Sequence, residues 1–518
     1  MLTLANTVEK FSIKVQYLLS FLAGLVLVFA YAPFSFWPVA LIALTFWLLL
    51  LHNKKVKEAT KLGFFFSFGW FSAGISWVHV SIDQFGGMPL VISLLLMLIL
   101  CLYLAIYPAL ACYLASRFSG NNRFEPWLLP SFWLVSEYLR SIVLTGFPWL
   151  SLGYSQIDSP LNVYAPIIGE IGITFILLLI AVAISQLLLK RHIKNQLFIL
   201  FIIGVTTWVI STFTWVKPLN KQVKVALVQG NIKQELRWQP EQAWPTMLKY
   251  LDLTRKNYDA DLIIWPESAI PEVEAIAQDY LDMANRSASL NNSSIITGII
   301  NYDFKTKEYF NSLIVLGEQE KPQDNYTYNN TNRYSKHHLL PIGEFVPFQA
   351  LLRPLAPFFN LPMSSFTRGE YIQANIHANG LNILPLICFE VVFSDQLRAN
   401  FSNETNLLLT VSNDAWFGDS HGPWQHLEIS RMRALEFNRP MLRATNNGIT
   451  AIIDHQGKII AQAPQFIDTV LRAEIKLVAG TTPYARWGEW LTYLLAIILL
   501  LSIKITTTNL SNKQNKLL

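Results

Sequence analysis

Eight apolar runs decide most of what this 518-residue chain can become. Residues 15–32, 37–51, 62–80, 90–114, 127–144, 167–189, 197–216 and 490–505 are each apolar over a length near that needed to cross a hydrocarbon core of about 30 Å. A segment in lipid must satisfy its own backbone N–H and C=O groups, so runs of this kind fold as helices. The second run is short for a span. The first also carries marks of a signal peptide, with Lys10 and Lys14 ahead of it and Ala30, Tyr31 and Ala32 resembling a cleavage site. Its apolar stretch exceeds the usual length of about 7–15 residues, and Pro33 would follow the cut, so it reads as a retained span.

Composition agrees with a lipid-facing surface. Charged residues make up 14% of the chain and hydrophobic residues 52%, against roughly 25% charged in typical soluble domains. The net charge of +5 is small, and the cations sit in short clusters between apolar runs rather than on a stripe interleaved with aromatics, which argues against a nucleic-acid partner. Those clusters orient the chain, because Lys and Arg close to a span are retained in the cytoplasm. Lys54, Lys55, Lys57 and Lys61 follow the second run, Arg117 and Arg123 the fourth, Lys190, Arg191 and Lys194 the sixth, and Lys504, Lys513 and Lys516 close the chain. Loops 33–36, 81–89 and 145–166 have neither Lys nor Arg. Both termini are therefore expected in the cytoplasm, with the stretch between the seventh and eighth runs on the far side.

That stretch, 217–487, is a different material. Short β-branched runs at 223–228, 262–264, 294–299, 312–316, 384–387, 406–411 and 448–453 alternate with polar, helix-competent segments such as 242–256 and 426–438. The pattern predicts an α/β domain with buried strands. Cys101 and Cys112 share one apolar run, so this domain owns only Cys388 and forms no internal disulfide.

Three strand ends in the domain carry one reactive group each: Glu267 in Ile-Ile-Trp-Pro-Glu-Ser, Lys336 in Tyr-Ser-Lys-His-His-Leu-Leu-Pro-Ile-Gly-Glu, and Cys388 in Leu-Ile-Cys-Phe-Glu. A thiol with a pKa near ~8.5 is mostly protonated at neutral pH and needs a base or a cation to become a nucleophile. Glu267 is the type of group that takes the proton and returns it. Lys336 is the type that stabilises a thiolate and an oxyanion, where one good donor contributes on the order of 3 kcal/mol. The backbone N–H of Phe389 is the natural second donor. Alone, each of the three has a plainer reading: an inert core thiol, a turn carboxylate, a solvated lysine.

Together, in this order and at such strand ends, they resemble the nitrilase (carbon-nitrogen hydrolase) superfamily over residues 223–475. With the flanking apolar runs, the whole chain resembles the apolipoprotein N-acyltransferase family. Val228-Gln229-Gly230-Asn231-Ile232, Gly153-Tyr154-Ser155-Gln156 followed by Ala165-Pro166 and Gly169, and Ser412-Asn413-Asp414-Ala415-Trp416-Phe417 all look like its pattern. One residue departs from it: the family commonly has Tyr after the nucleophile, where this chain has Phe389.

The resemblance implies a polytopic α-helical membrane bundle of about eight transmembrane helices carrying an extracytoplasmic nitrilase-like αββα sandwich. A seven-helix membrane domain would occupy 1–216, the catalytic domain 217–487, and a last helix with a cytoplasmic tail 488–518. Glu267, Lys336 and Cys388 would be catalytic, with Glu344 and Glu390 holding Lys336 and ordering the nucleophile turn. The implied reaction moves an acyl chain from a membrane phospholipid to the N-terminal amine of diacylglyceryl-cysteine in an apolipoprotein, by a ping-pong route through a Cys388 thioester. It would complete lipoprotein maturation in the bacterial inner membrane, with the enzyme as a monomer. No cofactor or metal is expected, because Lys336 covers the electrophilic role and no His/Cys/Asp cluster has ligand spacing.

Other residues read two ways. Trp238, Trp416 and Trp424 suit either the walls of a lipid pocket or core packing. Residues 351–368 are unusually apolar for an exported loop and read as a lid dipping into the membrane interface or as a buried loop. Glu137 and Arg140, three apart on one helix, are costly in a membrane and are explained by function or by mutual pairing. A membrane-tethered amidase would share the trio but leaves the eight runs unexplained. A transporter or receptor explains the runs but has no use for the trio.

Overall fold

A computed structural model describes residues 11–317, 325–341, 343–345 and 366–515. The chain forms two compact units, one made of residues 1–79, 91–213 and 487–518, the other of residues 80–90 and 214–486.

In the first unit, helices fall on the apolar runs: Ile13–Leu27, Pro38–Leu51, Val56–Gly74, Leu90–Arg117, Leu129–Ile142, Ala165–Leu188, Ile193–Ser211 and Trp490–Asn515. Among the described residues four segments are long and apolar enough to cross a membrane, Ile13–Ala30, Leu90–Arg117, Pro160–Leu188 and Ile193–Ser211. Large apolar side chains such as Ile99, Phe198, Phe201 and Trp208 are exposed on them, a surface that suits hydrocarbon and not water. Several ends differ from the sequence expectation, among them that of the last helix, which runs to Asn515 rather than 505. The third helix stops at Gly74 rather than 80: Ile75 leaves helical geometry, its N–H donating to the Phe71 carbonyl at 3.0 Å. The seventh stops at Ser211, and by Val216 the chain is already a strand. Arg140 pairs with Glu137 and donates to the carbonyls of Phe147 at 2.8 Å and Trp149 at 2.6 Å, so the buried charge is spent on holding the loop that follows its own helix.

The second unit stacks two six-stranded sheets. The first has the order β12-β1-β2-β3-β4-β5, from β1 Val216–Gln229, β2 Leu262–Ile264, β3 Ser294–Asp303, β4 Glu308–Leu316, β5 Arg333–Ser335 and β12 Thr469–Gly480. The second has the order β11-β10-β9-β8-β7-β6, from β6 Ile376–Ala378, β7 Leu381–Ile387, β8 Leu407–Ser412, β9 Met441–Thr445, β10 Ala451–Ile453 and β11 Ile459–Gln462. The inner strands β1, β2 and β3 run parallel, as do β7, β8 and β9.

Alternation along each strand assigns the faces. Val223, Val225 and Leu227 of β1 join Leu262, Ile264, Ile383, Leu407, Leu409 and Val411 in one core between the sheets. Ala226, Val228, Ile263 and Ile295 point the other way, against Tyr250 and Leu251 of helix Pro240–Arg255 and Tyr280 and Leu281 of helix Gln278–Leu290. Strands buried on both faces are apolar at most positions, which is why they read as near-continuous runs. The arrangement is the helix-sheet-sheet-helix sandwich expected from the sequence, with helix Gly422–Phe437 against β9 and β10 on the second sheet's outer face.

Leu409 is fully buried between the sheets, so Leu409→Ala should destabilise this unit by about 2–5 kcal/mol. Leu290, which is 84% exposed, should tolerate alanine within about 0.5 kcal/mol. Thermal melts of the two variants test the assignment. Equal melting temperatures would contradict it.

Candidate active site

The reactive groups stand at strand ends, where open α/β sheets leave room for ligands. β2 stops at Ile264, and Pro266, having no N–H for a ladder, turns the chain and presents Glu267. This turn passes so close to β3 that a Cβ on Gly298 would lie 2.2 Å from the Ser268 nitrogen, and only glycine fits. Lys336 follows β5 directly, and Cys388 follows β7 directly. Cys388 has φ +55°, a left-handed conformation that costs a side-chain-bearing residue about 1–3 kcal/mol and recurs at functional turns. It opens the short 3-10 turn Cys388–Val392.

Glu267 is buried, and an ion placed there without partners would cost several kcal/mol. Its Oε1 accepts from Asn311 Nδ2 at 2.8 Å and from Lys336 Nζ at 3.4 Å, and its Oε2 accepts the Asn413 backbone N–H at 2.9 Å. Arg237 donates to the backbone carbonyl of Glu267 and, at 3.0 Å, to that of Ser268. Burial alone would push the carboxyl up; Lys336 and Arg237, then Asn311 and Asn413, overcome it and hold Glu267 below the usual carboxylate range. The group is ionised at neutral pH.

Lys336 is 2% exposed, with Nζ 2.9 Å from the Glu344 carboxylate. Burial would lower its pKa, yet Glu344, Glu267 and the Cys388 sulfur raise it above that of an ordinary lysine. Glu344 is itself fixed by the Leu340 N–H at 2.8 Å and by Asn311 Nδ2 at 3.1 Å. The Cys388 thiol goes the opposite way to Glu267. Burial, followed by the charge of Glu267, pushes it up to about 12 against the pull of Lys336 and a hydrogen bond with Ser412. The resting site is thus a thiol beside a carboxylate and an ammonium.

Glu390 joins the nucleophile turn to the lysine loop. One oxygen accepts the Ile387 N–H at 2.8 Å; the other accepts Tyr334 Oη–H at 2.9 Å, the N–H groups of His337 at 2.7 Å and His338 at 3.2 Å, and Gln396 Nε2 at 3.2 Å. Burial pushes its carboxyl up, against these donors and the Lys336 charge. Phe389 is buried with its ring edge-on to Phe393.

Of the tryptophans, half-buried Trp238 lies against the Arg237 guanidinium, 5.6 Å from its ring centre. Trp416 packs on Phe85 and accepts Ser81 Oγ–H at its carbonyl, while Trp424 is half-buried near the start of Gly422–Phe437. Most of the expected lid, residues 351–365, lies outside the described residues. Arg237, Asn311 and Asn413 escaped the sequence reading as site residues. Each serves Glu267 from a sequence distance of 30, 44 or 146 residues, and no local pattern encodes that.

A thiol held near 12 ionises tenfold more per pH unit with no levelling near 9. The rate of Cys388 alkylation by iodoacetamide should therefore still be climbing at about pH 9.5. A plateau by about pH 9.5, the mark of a thiol whose pKa is the ordinary ~8.5 or lower, would contradict the resting charge state.

Comparison with known proteins gives the geometry its family. The model described as "Apolipoprotein N-acyltransferase N-terminal domain" matches residues 23–183, and the "Carbon-nitrogen hydrolase" model matches residues 224–483. An apolipoprotein N-acyltransferase of Shewanella oneidensis is 50% identical over 478 residues, covering 91% of this chain and 92% of its own. One from Vibrio cholerae is 49% identical over 474 residues, covering 91% and 93%. A third, from Haemophilus influenzae, is 41% identical over 495 residues, covering 94% of each. With such relatives along nearly its whole length, and with a sandwich unit that gathers a glutamate, a lysine and a cysteine at its strand ends, this chain belongs to the apolipoprotein N-acyltransferase family.

Proposed function

We propose that this acyltransferase moves a fatty acyl chain from a membrane phospholipid to the N-terminal amine of diacylglyceryl-cysteine in an apolipoprotein, in two steps through a thioester on Cys388. The observation that carries the reading is the site itself, in which Lys336 Nζ lies 3.4 Å from the Glu267 carboxylate at the strand ends that also present Cys388, in a chain 50% identical to an apolipoprotein N-acyltransferase.

In the first step Cys388 Sγ attacks the ester carbonyl of the phospholipid while Glu267 takes the thiol proton. The carbonyl oxygen gains negative charge and is met by Lys336 and the Phe389 N–H. The C–O ester bond then breaks, and Glu267 returns the proton to the departing lysophospholipid alkoxide. In the second step the lipoprotein amine attacks the thioester carbonyl, Glu267 takes a proton from nitrogen, the C–S bond breaks and the proton goes back to sulfur. A site adjoining lipid keeps water scarce, so the amine wins over hydrolysis. Glu344 and Glu390 fix the lysine and the nucleophile turn, and Trp238 and Trp416 line the acyl path.

The reading also fixes a topology. Seven spans in 1–216 and an eighth in 488–518 place both termini in the cytoplasm and the catalytic domain, 217–487, on the periplasmic side of the inner membrane, where exported lipoproteins wait. The alternation of Lys- and Arg-bearing loops with loops that lack them supports it.

The test follows a labelled acyl chain from phospholipid onto the enzyme in membranes. Label should appear on the wild-type chain, be released by neutral hydroxylamine, and pass to a diacylglyceryl peptide with a free amine. Cys388→Ala should take none. Cys388→Ser should give at most a trace of hydroxylamine-resistant ester, because its hydroxyl is far less acidic than a thiol. Near-normal peptide acylation by Cys388→Ser would overturn the covalent route.

A further inference from the structure

Cys388 is gripped through its main chain by residues that take no part in the two steps above. Its carbonyl oxygen lies 3.1 Å from Nε2 of His426, a fully buried residue of helix Gly422–Phe437. The other ring nitrogen, Nδ1, lies 3.1 Å from Arg443 Nη2 and 3.2 Å from Asp414 Oδ1. Asp414 Oδ1 accepts the Ser412 hydroxyl at 2.6 Å, and Oδ2 accepts Arg443 Nη2 at 2.6 Å. Both Asp414 oxygens are therefore supplied with protons, and Arg443 also offers one to Nδ1. The Cys388 carbonyl can only accept, so a proton stands on Nε2 and is donated to it. Burial, then the Arg443 charge, holds His426 below its usual pKa, in keeping with a neutral ring.

A trans peptide is planar, and its C=O and N–H point in opposite directions. Whatever fixes the Cys388 carbonyl fixes the Phe389 N–H on the far side of the same plane. We infer that His426, backed by Asp414 and Arg443, is a positioning residue that aims the Phe389 N–H at the oxyanion formed on the carbonyl joined to Cys388. The inference rests on the thioester reading above.

Two further observations favour it. Asn413, beside Asp414 in the same loop, donates its backbone N–H to Glu267, so one anchored loop sets both the base and the oxyanion donor. Asp414 is itself wedged in place, since a Cβ on Gly448 would fall 2.4 Å from its Oδ2. The left-handed Cys388 also needs an outside hold, and the His426 contact and the Ile387 N–H bond to Glu390 grip the backbone on either side of it.

The test compares His426→Leu and His426→Gln in the full-length protein in membranes, because the glutamine amide nitrogen can stand where Nε2 stood. Two rates are read: single-turnover acylation of Cys388 by labelled phospholipid, and alkylation of Cys388 by iodoacetamide, which attacks through an sp3 carbon and forms no oxyanion. His426→Leu should slow acylation by about 100-fold, the order expected for one lost oxyanion donor, with alkylation within about threefold of wild type. His426→Gln should recover at least about tenfold of the loss. Acylation by His426→Leu within threefold of wild type would overturn the inference, as would a parallel fall in alkylation or a glutamine variant no better than leucine. Absence of any hydroxylamine-labile acyl-enzyme in the wild type would instead sink the thioester reading on which the inference stands.

Discussion

The buried ammonium of Lys336, set between the carboxylates of Glu267 and Glu344, is the contact on which the site depends. An isolated ion at this depth would neutralise itself, because desolvation penalises the charged form by several kcal/mol. Here the charges keep one another ionised. Lys336 holds Glu267 charged against the burial that would protonate it, and the two carboxylates hold Lys336 charged against the burial that would strip its proton. Burial, and after it the same negative charge on Glu267, keeps the neighbouring thiol protonated. Base, cation and acid are therefore three consequences of one arrangement, and no group must change its charge before substrate arrives.

The sandwich makes such an arrangement affordable. Glu267 comes from the first sheet and Cys388 and Asn413 from the second, so their separation is set by side chains interlocked between the sheets rather than by a mobile loop. Where loops do contribute, buried carboxylates act as staples. Glu390 binds the lysine loop to the nucleophile turn, and Asp414 binds the Asn413 loop to Arg443 on β9. Donors held in this way are already oriented when charge develops, which is how electrostatic stabilisation in a dry site lowers a barrier.

The sequence made β2, β3, β7 and β8 legible because burial on both faces leaves uninterrupted apolar runs. It hid β9, Met441–Thr445, because that strand carries the fully buried Arg443, a charge that looks like a break in a run. It hid β12 because exposed and buried positions alternate there beside charged residues. β5 and β6 are three residues each, too short for any period to register. The apolar runs were visible as composition, but their ends were not: the third helix stops at Gly74, although the run goes on to 80. At the site, Glu267 and Cys388 stood out because each follows an apolar run, and Lys336 because of the motif Tyr-Ser-Lys-His-His-Leu-Leu-Pro-Ile-Gly-Glu around it, not because of its strand. Arg237, Asn311 and His426 did not, since each acts on a backbone or a side chain far along the chain and looks locally like any polar residue.

The claim that matters most is that Glu267 waits as an ionised base held low by Lys336. Single-turnover acylation of Cys388, followed while the pH is lowered, reads it directly. A carboxyl held low keeps its base form as the pH falls and loses it only on passing through its own pKa, which here lies below the ordinary carboxylate value of 4.5. Acylation should therefore stay level from about pH 8 to about pH 5 and decline only beneath that. An acid limb centred near pH 7 would mean that Glu267 rests protonated, and the account would be wrong.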